Sequence, residues 1–392
     1  MVKRQGVHTH TPPPIPFNRP TLLGGELENV RKAITNGQIS AAGPFSARAE
    51  SILRTAHHSA DAILTTSCTD ALEMTAMLLD RRSGDTVIVP SFTFVSTALA
   101  FAREGFGLVF ADIEPIHLGL DAQHVASLID NTTRAVVVVH YGGIAADLAG
   151  LQQAIGARPI DLVEDNAHGL FATHAGRALG SFGRLATLSF HETKNFTCGE
   201  GGALIINDQR DIDRAHILLH KGTNRRAFML GDVDKYSWHD LGSSFGLSEI
   251  NAAFLVGQLE QREVILARRR AVFDGYHHLL RPHAGSLGLT LPDVPEADVP
   301  GYHLYYVLLP DRPMRDRVLA GMRAAGVMAT FHYVPLHSAP GGLRFASRRT
   351  ACPVTDNVSG RLIRLPFHNA MGDADVERVA ETFLEEARRA LA

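Results

Sequence analysis

The length and composition of the chain are those of a globular protein with a large core. It has 392 residues, of which 45% are hydrophobic and 20% charged, enough for one large domain or two smaller ones. With 38 Lys and Arg against 41 Asp and Glu, the net charge of −3 gives no general attraction to nucleic acid or to an anionic membrane, and we expect neither as a partner. Any phosphate group must therefore be bound by a local site.

Residues 1–14 are polar and proline-rich, and we predict that they form a flexible arm. This segment lacks the apolar core of a signal peptide, and no apolar run reaches 18 residues, so we expect a cytoplasmic protein. The cysteines Cys68, Cys198 and Cys352 are odd in number and far apart. Their spacing argues against a disulfide framework and a zinc site, and we predict no metal site.

From residue 62 onwards, short apolar runs alternate with stretches of helical spacing. The apolar runs predict strands at residues 62–65, 86–90, 108–111, 136–140 and 161–164. Helices are predicted at 91–104, 121–129 and 147–155. Because the strands are apolar on both faces and alternate with helices, the pattern predicts a mostly parallel sheet in an α/β fold. Two further runs, 186–190 and 203–207, are too close together to hold a helix and predict a hairpin or a mixed region of the sheet.

The pattern changes after about residue 246. A long helix is predicted over 248–280, followed by apolar segments at 305–309 and 327–333 and a final helix at 373–391. We therefore predict two domains after the arm. These are a large domain at 15–250, and a linking helix with a small C-terminal α/β domain at 251–392.

Two residues that directly follow predicted strands have side chains suited to catalysis. Asp165 and Lys194 lie where the carboxyl ends of strands bind ligands in open α/β sheets. A carboxylate or an amine at such a place is costly to bury unless it is paired or used. Pyridoxal phosphate needs both groups, a lysine for a Schiff base and a carboxylate that keeps its ring nitrogen protonated.

The same cofactor needs a site for its phosphate and a side chain that packs on its ring. Ser67, Cys68 and Thr69 begin a predicted helix, where backbone N–H groups and a hydroxyl favour phosphate. Ser189 offers a second hydroxyl, and Phe94 offers an aromatic ring for stacking.

Each of these residues also has a common structural role. An Asp after a strand often caps a helix, a single Lys is usually solvated, and Phe94 would ordinarily lie in the core. The conjunction of an acid, a lysine, hydroxyls and a helix start at the ends of different strands favours the cofactor. A nucleotide-dependent oxidoreductase would instead need a GxGxxG motif after its first strand, and Ser67–Cys68–Thr69–Asp70 is unlike that motif.

The chain resembles the DegT–StrS-type PLP-dependent nucleotide-sugar aminotransferases. Within this family it is most similar to the dTDP-4-amino-4,6-dideoxygalactose transaminases. The resemblance covers nearly the whole chain after residue 14. It rests on the segments PSFTFVST (90–97), EDNAH (164–168), SFHETKN (189–195), GEGG (199–202), KGTNR (221–225) and FHYVPLH (331–337).

The resemblance implies the fold-type I architecture, with a seven-stranded mixed sheet in the large domain, a smaller C-terminal α/β domain, and a homodimer with shared active sites. It also implies a role for each matching residue. These are Lys194 for the Schiff base, Asp165 for the pyridine nitrogen, His168 for the phenolic oxygen, Cys68, Thr69 and Ser189 for the phosphate, Phe94 for ring stacking, Asn224 for the phosphate of the other subunit, and His332 for the sugar nucleotide.

The implied reaction is a ping-pong transamination. L-glutamate leaves its amino group on the enzyme and departs as 2-oxoglutarate. A dTDP-4-keto-6-deoxyhexose then takes the amino group at C4, which gives a dTDP-4-amino-4,6-dideoxysugar.

Three alternatives compete with this reaction. The same chemistry could act on another nucleotide 4-ketosugar, for example a 4-keto pentose. The related sugar 3-dehydratases carry histidine in place of the lysine, so Lys194 disfavours dehydration. A non-catalytic regulator with the same fold would need neither Asp165 nor Lys194.

Overall fold

The computed structural model describes residues 13–391. Apart from Pro13 and Pro14, the predicted N-terminal arm therefore lies outside the described residues. Within 13–391, no helix is both long enough and apolar enough to cross a membrane.

The strands are β1 Asp61–Thr65, β2 Thr86–Pro90, β3 Gly107–Ala111, β4 Thr133–Val139, β5 Asp161–Asp165, β6 Thr173–His174, β7 Arg177–Ala178, β8 Leu185–Ser189, β9 Gly202–Ile206, β10 Asp298–Val299, β11 Tyr306–Leu308 and β12 Leu362–Arg364. The α-helices are α1 Glu26–Thr35, α2 Pro44–His57, α3 Cys68–Leu78, α4 Ser96–Arg103, α5 Ala122–Leu128, α6 Leu148–Ile155, α7 Ile212–Leu219, α8 Arg225–Leu230, α9 Glu249–Leu259, α10 Arg262–Leu287, α11 Arg312–Ala324, α12 Pro340–Phe345, α13 Pro353–Arg361 and α14 Asp373–Leu391.

The main sheet has seven strands in the order β1-β9-β8-β5-β4-β2-β3. Strand β9 is antiparallel to both of its neighbours, and the other contacts between strands are parallel. The predicted seven-stranded mixed sheet is confirmed, as is the hairpin, which β8 and β9 form. Helices cover both faces of the sheet, which is why β2 is buried along its whole length.

Two predicted helices begin where an aspartate caps them, and a third begins later than predicted. Asp121 accepts hydrogen bonds from the first-turn N–H groups of α5, and Asp147 does the same for α6. The helix predicted over 91–104 starts only at Ser96. The residues before it are held in a loop by tertiary bonds, since Ser91 O accepts from Leu336 N and Ser91 Oγ contacts His337 Nδ1 at 2.7 Å.

The long helix predicted over 248–280 is two helices, α9 and α10, which are separated at Gln261. Helix α9 packs on α1 and α2, whereas α10 packs on α14. Ile265 near the start of α10 belongs to the core around the main sheet, and Val272 belongs to the C-terminal core. The polypeptide therefore passes from one core to the other within α10, after the interruption of the predicted single helix at Gln261.

The C-terminal core contains a small antiparallel sheet of β11 and β12, covered by α10, α11 and α14. The predicted apolar segment 327–333 forms only isolated bridges, from Val327 to Ile15 and from Thr330 to Arg364. Ile15 is only 4% exposed and packs in this core. The segment around Ile15 is thus held by the C-terminal core. The domain boundary between residues 250 and 251 stays a prediction.

Candidate active site

The pairing of β5 with β8 places the two residues singled out from the sequence at one edge of the sheet. These strands are parallel, with Asp165 opposite Thr187, so both end at the same edge. The chain leaves β8 at Ser189 and turns back, with Lys194 N donating to His191 O at 2.9 Å. As a result Asp165, Ser189 and Lys194 line one cavity of about 490 Å³.

This cavity brings together almost all of the residues implicated by the sequence. Its walls include Cys68, Thr69, Phe94, Asp165, His168, Ser189, Lys194 and His332. Asn224 does not line it. The Asn224 side chain instead donates to Lys235 O at 2.9 Å and accepts from Ser237 N at 2.8 Å, which holds the segment that follows α7.

The Asp165 carboxylate is buried, with 5% of the residue exposed. Thr97 Oγ1 donates to its Oδ2 at 2.7 Å, and Thr93 in turn donates to Thr97. Burial raises the pKa of Asp165, and the charge of Lys194 opposes that shift. The side-chain donor to the carboxylate, Thr97, is a neutral hydroxyl, so the carboxylate can still attract a positively charged group in the cavity.

Lys194 lies half-buried at the cavity wall. Burial lowers its pKa to about 8, and the nearby positive charge of Arg364 acts in the same direction. With a pKa of about 8, about a tenth of the amine is unprotonated at pH 7, and this is the form that acts as a nucleophile or a base.

The start of α3 forms another wall of the cavity. Ser67 caps the helix by accepting from Asp70 N at 3.0 Å, and Thr69 Oγ1 lies 2.8 Å from Ser96 Oγ. Gly202 of β9 packs directly behind this turn, where a Cβ atom would lie 2.4 Å from Cys68 N. The helix start and its hydroxyl groups are therefore held in place from behind by a residue that has no side chain.

His168 is buried and stacks on His303, with ring centroids 4.2 Å apart. Its Nδ1 accepts from Gly142 N at 3.3 Å, so in the neutral ring the proton is on Nε2. Burial lowers the pKa of both histidines well below the ordinary range. The pair is therefore neutral, and His168 Nε2 is a hydrogen-bond donor.

His332 lies in the same cavity, between an arginine and a tyrosine. Its Nε2 is 2.5 Å from Arg364 Nη1, and its Nδ1 is 3.1 Å from Tyr141 Oη. Because a guanidinium can only donate, His332 Nε2 accepts and the proton is on Nδ1. Tyr333 stacks on the imidazole, with ring centroids 3.8 Å apart.

Sequence reasoning missed four residues that complete the site, namely Thr97, His303, Tyr333 and Arg364. Arg364 is the last residue of β12 and follows two buried residues. The criterion that singled out Asp165 and Lys194, a polar residue at the end of an apolar run, would also have identified Arg364. His303 precedes β11 in an irregular stretch, where no periodicity marks it. Thr97 looks like an ordinary helix residue until the fold places it against Asp165.

Comparisons with known proteins identify the family of the chain. The DegT/DnrJ/EryC1/StrS aminotransferase family matches residues 22–384. A relative from Saccharopolyspora spinosa, a dTDP-4-dehydro-2,3,6-trideoxy-D-glucose 4-aminotransferase, is 30% identical over 380 residues, which are 94% of this chain and 96% of the relative.

Solved structures show the same fold along the chain. The aminotransferase TlmJ from Streptoalloteichus hindustanus superposes with a TM-score of 0.88 at 29% identity, covering 96% of this chain and 100% of that one. The PLP form of Spr1654 from Streptococcus pneumoniae, described as a putative sugar aminotransferase, superposes with a TM-score of 0.88 at 25% identity, covering 97% and 100%. The chain therefore belongs to the DegT/DnrJ/EryC1/StrS aminotransferase family.

Proposed function

We propose that the chain is a pyridoxal 5′-phosphate-dependent enzyme that moves an amino group from L-glutamate to the C4 keto group of a dTDP-4-keto-6-deoxyhexose. The products would be a dTDP-4-amino-4,6-dideoxysugar and 2-oxoglutarate. The observation that carries the proposal is the presence of Lys194 and Asp165 in one cavity at the carboxyl edge of the sheet.

The residues of this cavity fit the cofactor. Asp165 is a buried carboxylate whose hydrogen-bond donors, Thr97 Oγ1 and Ala167 N, are uncharged, which suits a protonated pyridine nitrogen. The start of α3 and the hydroxyls of Thr69 and Ser189 suit a phosphate. Phe94 lines the cavity and is 60% exposed, so its ring is free to pack on a planar ligand.

Pyridoxal phosphate supplies an electron-accepting ring that stabilises negative charge at the carbon bearing the amino group. Asp165 holds a proton at the ring nitrogen, and the His168 Nε2 proton is available to the phenolic oxygen. Lys194 Nζ would hold the cofactor through a Schiff base. Because burial lowers the pKa of Lys194 to about 8, its amine would also be able to take the proton from the donor Cα.

The choice of sugar follows from the curated relative. Its printed substrate is a dTDP-linked 4-dehydro sugar without a 6-hydroxyl group, and its reaction places the amino group at C4. That name supports a dTDP-4-keto-6-deoxyhexose and does not favour the galactose configuration over others.

We also propose that two copies of the chain form a homodimer with shared active sites. The segment around Asn224 exposes an unusual number of large apolar side chains, namely Phe228, Met229, Leu230, Tyr236, Trp238 and Leu241. Trp238 is 78% exposed. Apolar surface of this kind marks an interaction site, and a second copy covering it would bring Asn224 to the partner's phosphate site.

Replacing Lys194 should abolish the reaction. We expect Lys194→Ala to lower turnover by about 10³-fold or more while the protein still binds the cofactor, without the absorption band of a lysine-bound cofactor. The assay supplies L-glutamate and a dTDP-4-keto-6-deoxyhexose, with the product identified by NMR. Lys32→Ala removes an exposed lysine that pairs with Glu28 and serves as the control. Normal transamination by Lys194→Ala would overturn the proposed role.

The low pKa of Lys194 should set the pH dependence of cofactor uptake. Burial disfavours the charged ammonium, so the reactive neutral amine forms as pH rises through about 8 rather than near the usual 10.4. Mixed with the cofactor-free protein, pyridoxal phosphate should bind at a rate that levels off above pH 8, as followed by absorbance. The reference is the rate at which a small lysine derivative in solution reacts with pyridoxal phosphate. If the rate for the protein rose with pH in parallel with this reference up to pH 10, the lowered pKa of Lys194 would be contradicted.

Charging the apolar segment should separate the dimer. We expect Trp238→Asp to sediment as a monomer at concentrations where the unaltered protein is a dimer, and to lose activity because each site lacks the partner's contribution. Leu391→Asp places a charge at another exposed apolar residue, 56% exposed at the end of α14, and should change neither property. A dimeric Trp238→Asp protein would show that this segment is not the interface.

A further inference from the structure

His303 is a buried histidine at the wall of the cavity that contains Lys194. The residue is 3% exposed, and its ring stacks on that of His168 with centroids 4.2 Å apart. His303 Nδ1 lies 2.9 Å from Asn195 Oδ1. The transamination proposed above gives this side chain no role, although a buried nitrogen without a partner is costly to keep beside a reaction site.

The hydrogen bonds of Asn195 determine which nitrogen of His303 carries the proton. Asn195 Nδ2 donates to Gly301 O, so the amide oxygen is the atom that faces His303. An amide oxygen can only accept, and His303 Nδ1 therefore donates to it. Burial holds the pKa of His303 well below the ordinary range. The ring is therefore neutral, and its other nitrogen, Nε2, is a hydrogen-bond acceptor.

The Nε2 atom of His303 is open to a ligand. Within residues 13–391 it has no hydrogen-bond partner, and it is not among the unpaired side-chain atoms that are closed off from solvent. Arg364 Nε, by contrast, is closed off. Because His303 lines the cavity and is otherwise buried, its ring presents an acceptor to whatever occupies that cavity.

The backbone that carries His303 is held in an unfavourable conformation by a buried arginine. Tyr302 has a φ of +49°, in the left-handed region that a bulky residue rarely adopts. Arg269 is 2% exposed and donates from Nε to Tyr302 O and from Nη2 to His303 O, both at 2.7 Å. Backbone strain persists only where the surrounding contacts enforce it, and it is concentrated at functional sites. The place of His303 in the cavity wall is therefore tightly determined.

We propose that His303 Nε2 accepts a hydrogen bond from the C3 hydroxyl of the sugar and makes the enzyme selective for sugars that retain this hydroxyl. The proposal rests on the transamination proposed above and narrows its substrate to 4-keto sugars with a hydroxyl next to the reacting carbon. The relative from Saccharopolyspora spinosa is named for a 2,3,6-trideoxy sugar, so the two proteins are expected to differ in this preference.

The chemistry of the proposed ligands leaves few donors for this acceptor. The ring N–H of the cofactor faces Asp165, its phenolic oxygen accepts from His168 Nε2, and its phosphate is ionised. The amino group of L-glutamate must bond to the cofactor, and its carboxylates only accept. The donors of the nucleoside are separated from the reacting carbon by the diphosphate. The remaining donors are the hydroxyls at C2 and C3 of the hexose.

The stacking of His303 on His168 favours the C3 hydroxyl over the C2 hydroxyl. His168 is the proposed partner of the phenolic oxygen, and in pyridoxal phosphate this oxygen is on the ring carbon next to the one that bears the reacting group. A ring stacked on His168 is therefore close to the reacting centre. C3 is bonded directly to C4, which takes the amino group, whereas C2 is one bond further away.

Binding of two sugars that differ by one hydroxyl tests this contact. The probes are dTDP-4-keto-6-deoxyglucose and dTDP-4-keto-3,6-dideoxyglucose. They are titrated by calorimetry into protein loaded with pyridoxal phosphate, a form that has no amino group to transfer. We expect the unaltered protein to bind the 3-hydroxy probe about 10-fold to 100-fold more tightly, the range for leaving one buried acceptor without its donor. In His303→Phe, which keeps a flat ring without nitrogens, the two affinities should become equal because the 3-hydroxy probe binds more weakly.

A matched control separates this effect from a general disturbance. His277 lies outside the cavity, its ring is parallel to that of Phe273, and its Nδ1 is 3.3 Å from Tyr305 Oη. The variant His277→Phe should keep the preference of the unaltered protein. If His303→Phe does not fold, His303→Leu also removes both ring nitrogens and is interpreted in the same way.

Equal binding of the two probes by the unaltered protein would overturn the proposal. A preference that His303→Phe retains would also overturn it, because the hydroxyl would then have another partner. Equal weakening of both probes in His303→Phe would show a structural role only. Failure of the proposed transamination looks different, since the unaltered protein would then distinguish the probes but aminate neither of them when loaded with pyridoxamine phosphate.

Discussion

The parallel pairing of β5 with β8 is the constraint on which the site depends. Because of this pairing both strands end at one edge of the sheet. The carboxylate of Asp165 and the amine of Lys194 therefore line one cavity. Burial raises the pKa of Asp165 and lowers that of Lys194, and each shift favours the neutral form. The cofactor proposed above has a basic ring nitrogen and an aldehyde, and it would use both groups.

The remaining polar groups of the cavity are largely uncharged. His168 and His303 are stacked, buried and neutral, and His332 is held neutral between Arg364 and Tyr141. These rings can offer hydrogen bonds at defined positions, as His168 Nε2 does, without adding charge to the cavity. Arg364 is the exception, a buried cation that lines the cavity and contacts His332 Nε2.

Much of the large domain and the centre of the site could be predicted from the sequence, because both follow from local patterns. Apolar runs define the strands, and the residues that follow them, such as Asp165 and Lys194, lie at the ligand-binding edge. What could not be predicted depends on contacts between distant segments. The delayed start of α4 follows from the bonds of Ser91 to residues 336–337, and His303 and Arg364 reach the cavity only because the C-terminal core packs against the sheet edge.

The central claim is that this cavity binds pyridoxal phosphate through Lys194, and chemical trapping tests it most directly. The sequence contains only five lysines, namely Lys3, Lys32, Lys194, Lys221 and Lys235. Borohydride reduction of the protein mixed with equimolar cofactor, followed by peptide mass spectrometry, would show which of them is bound. The account predicts a stable cofactor adduct on Lys194. An adduct spread over the other lysines, with Lys194 unmodified, would contradict it.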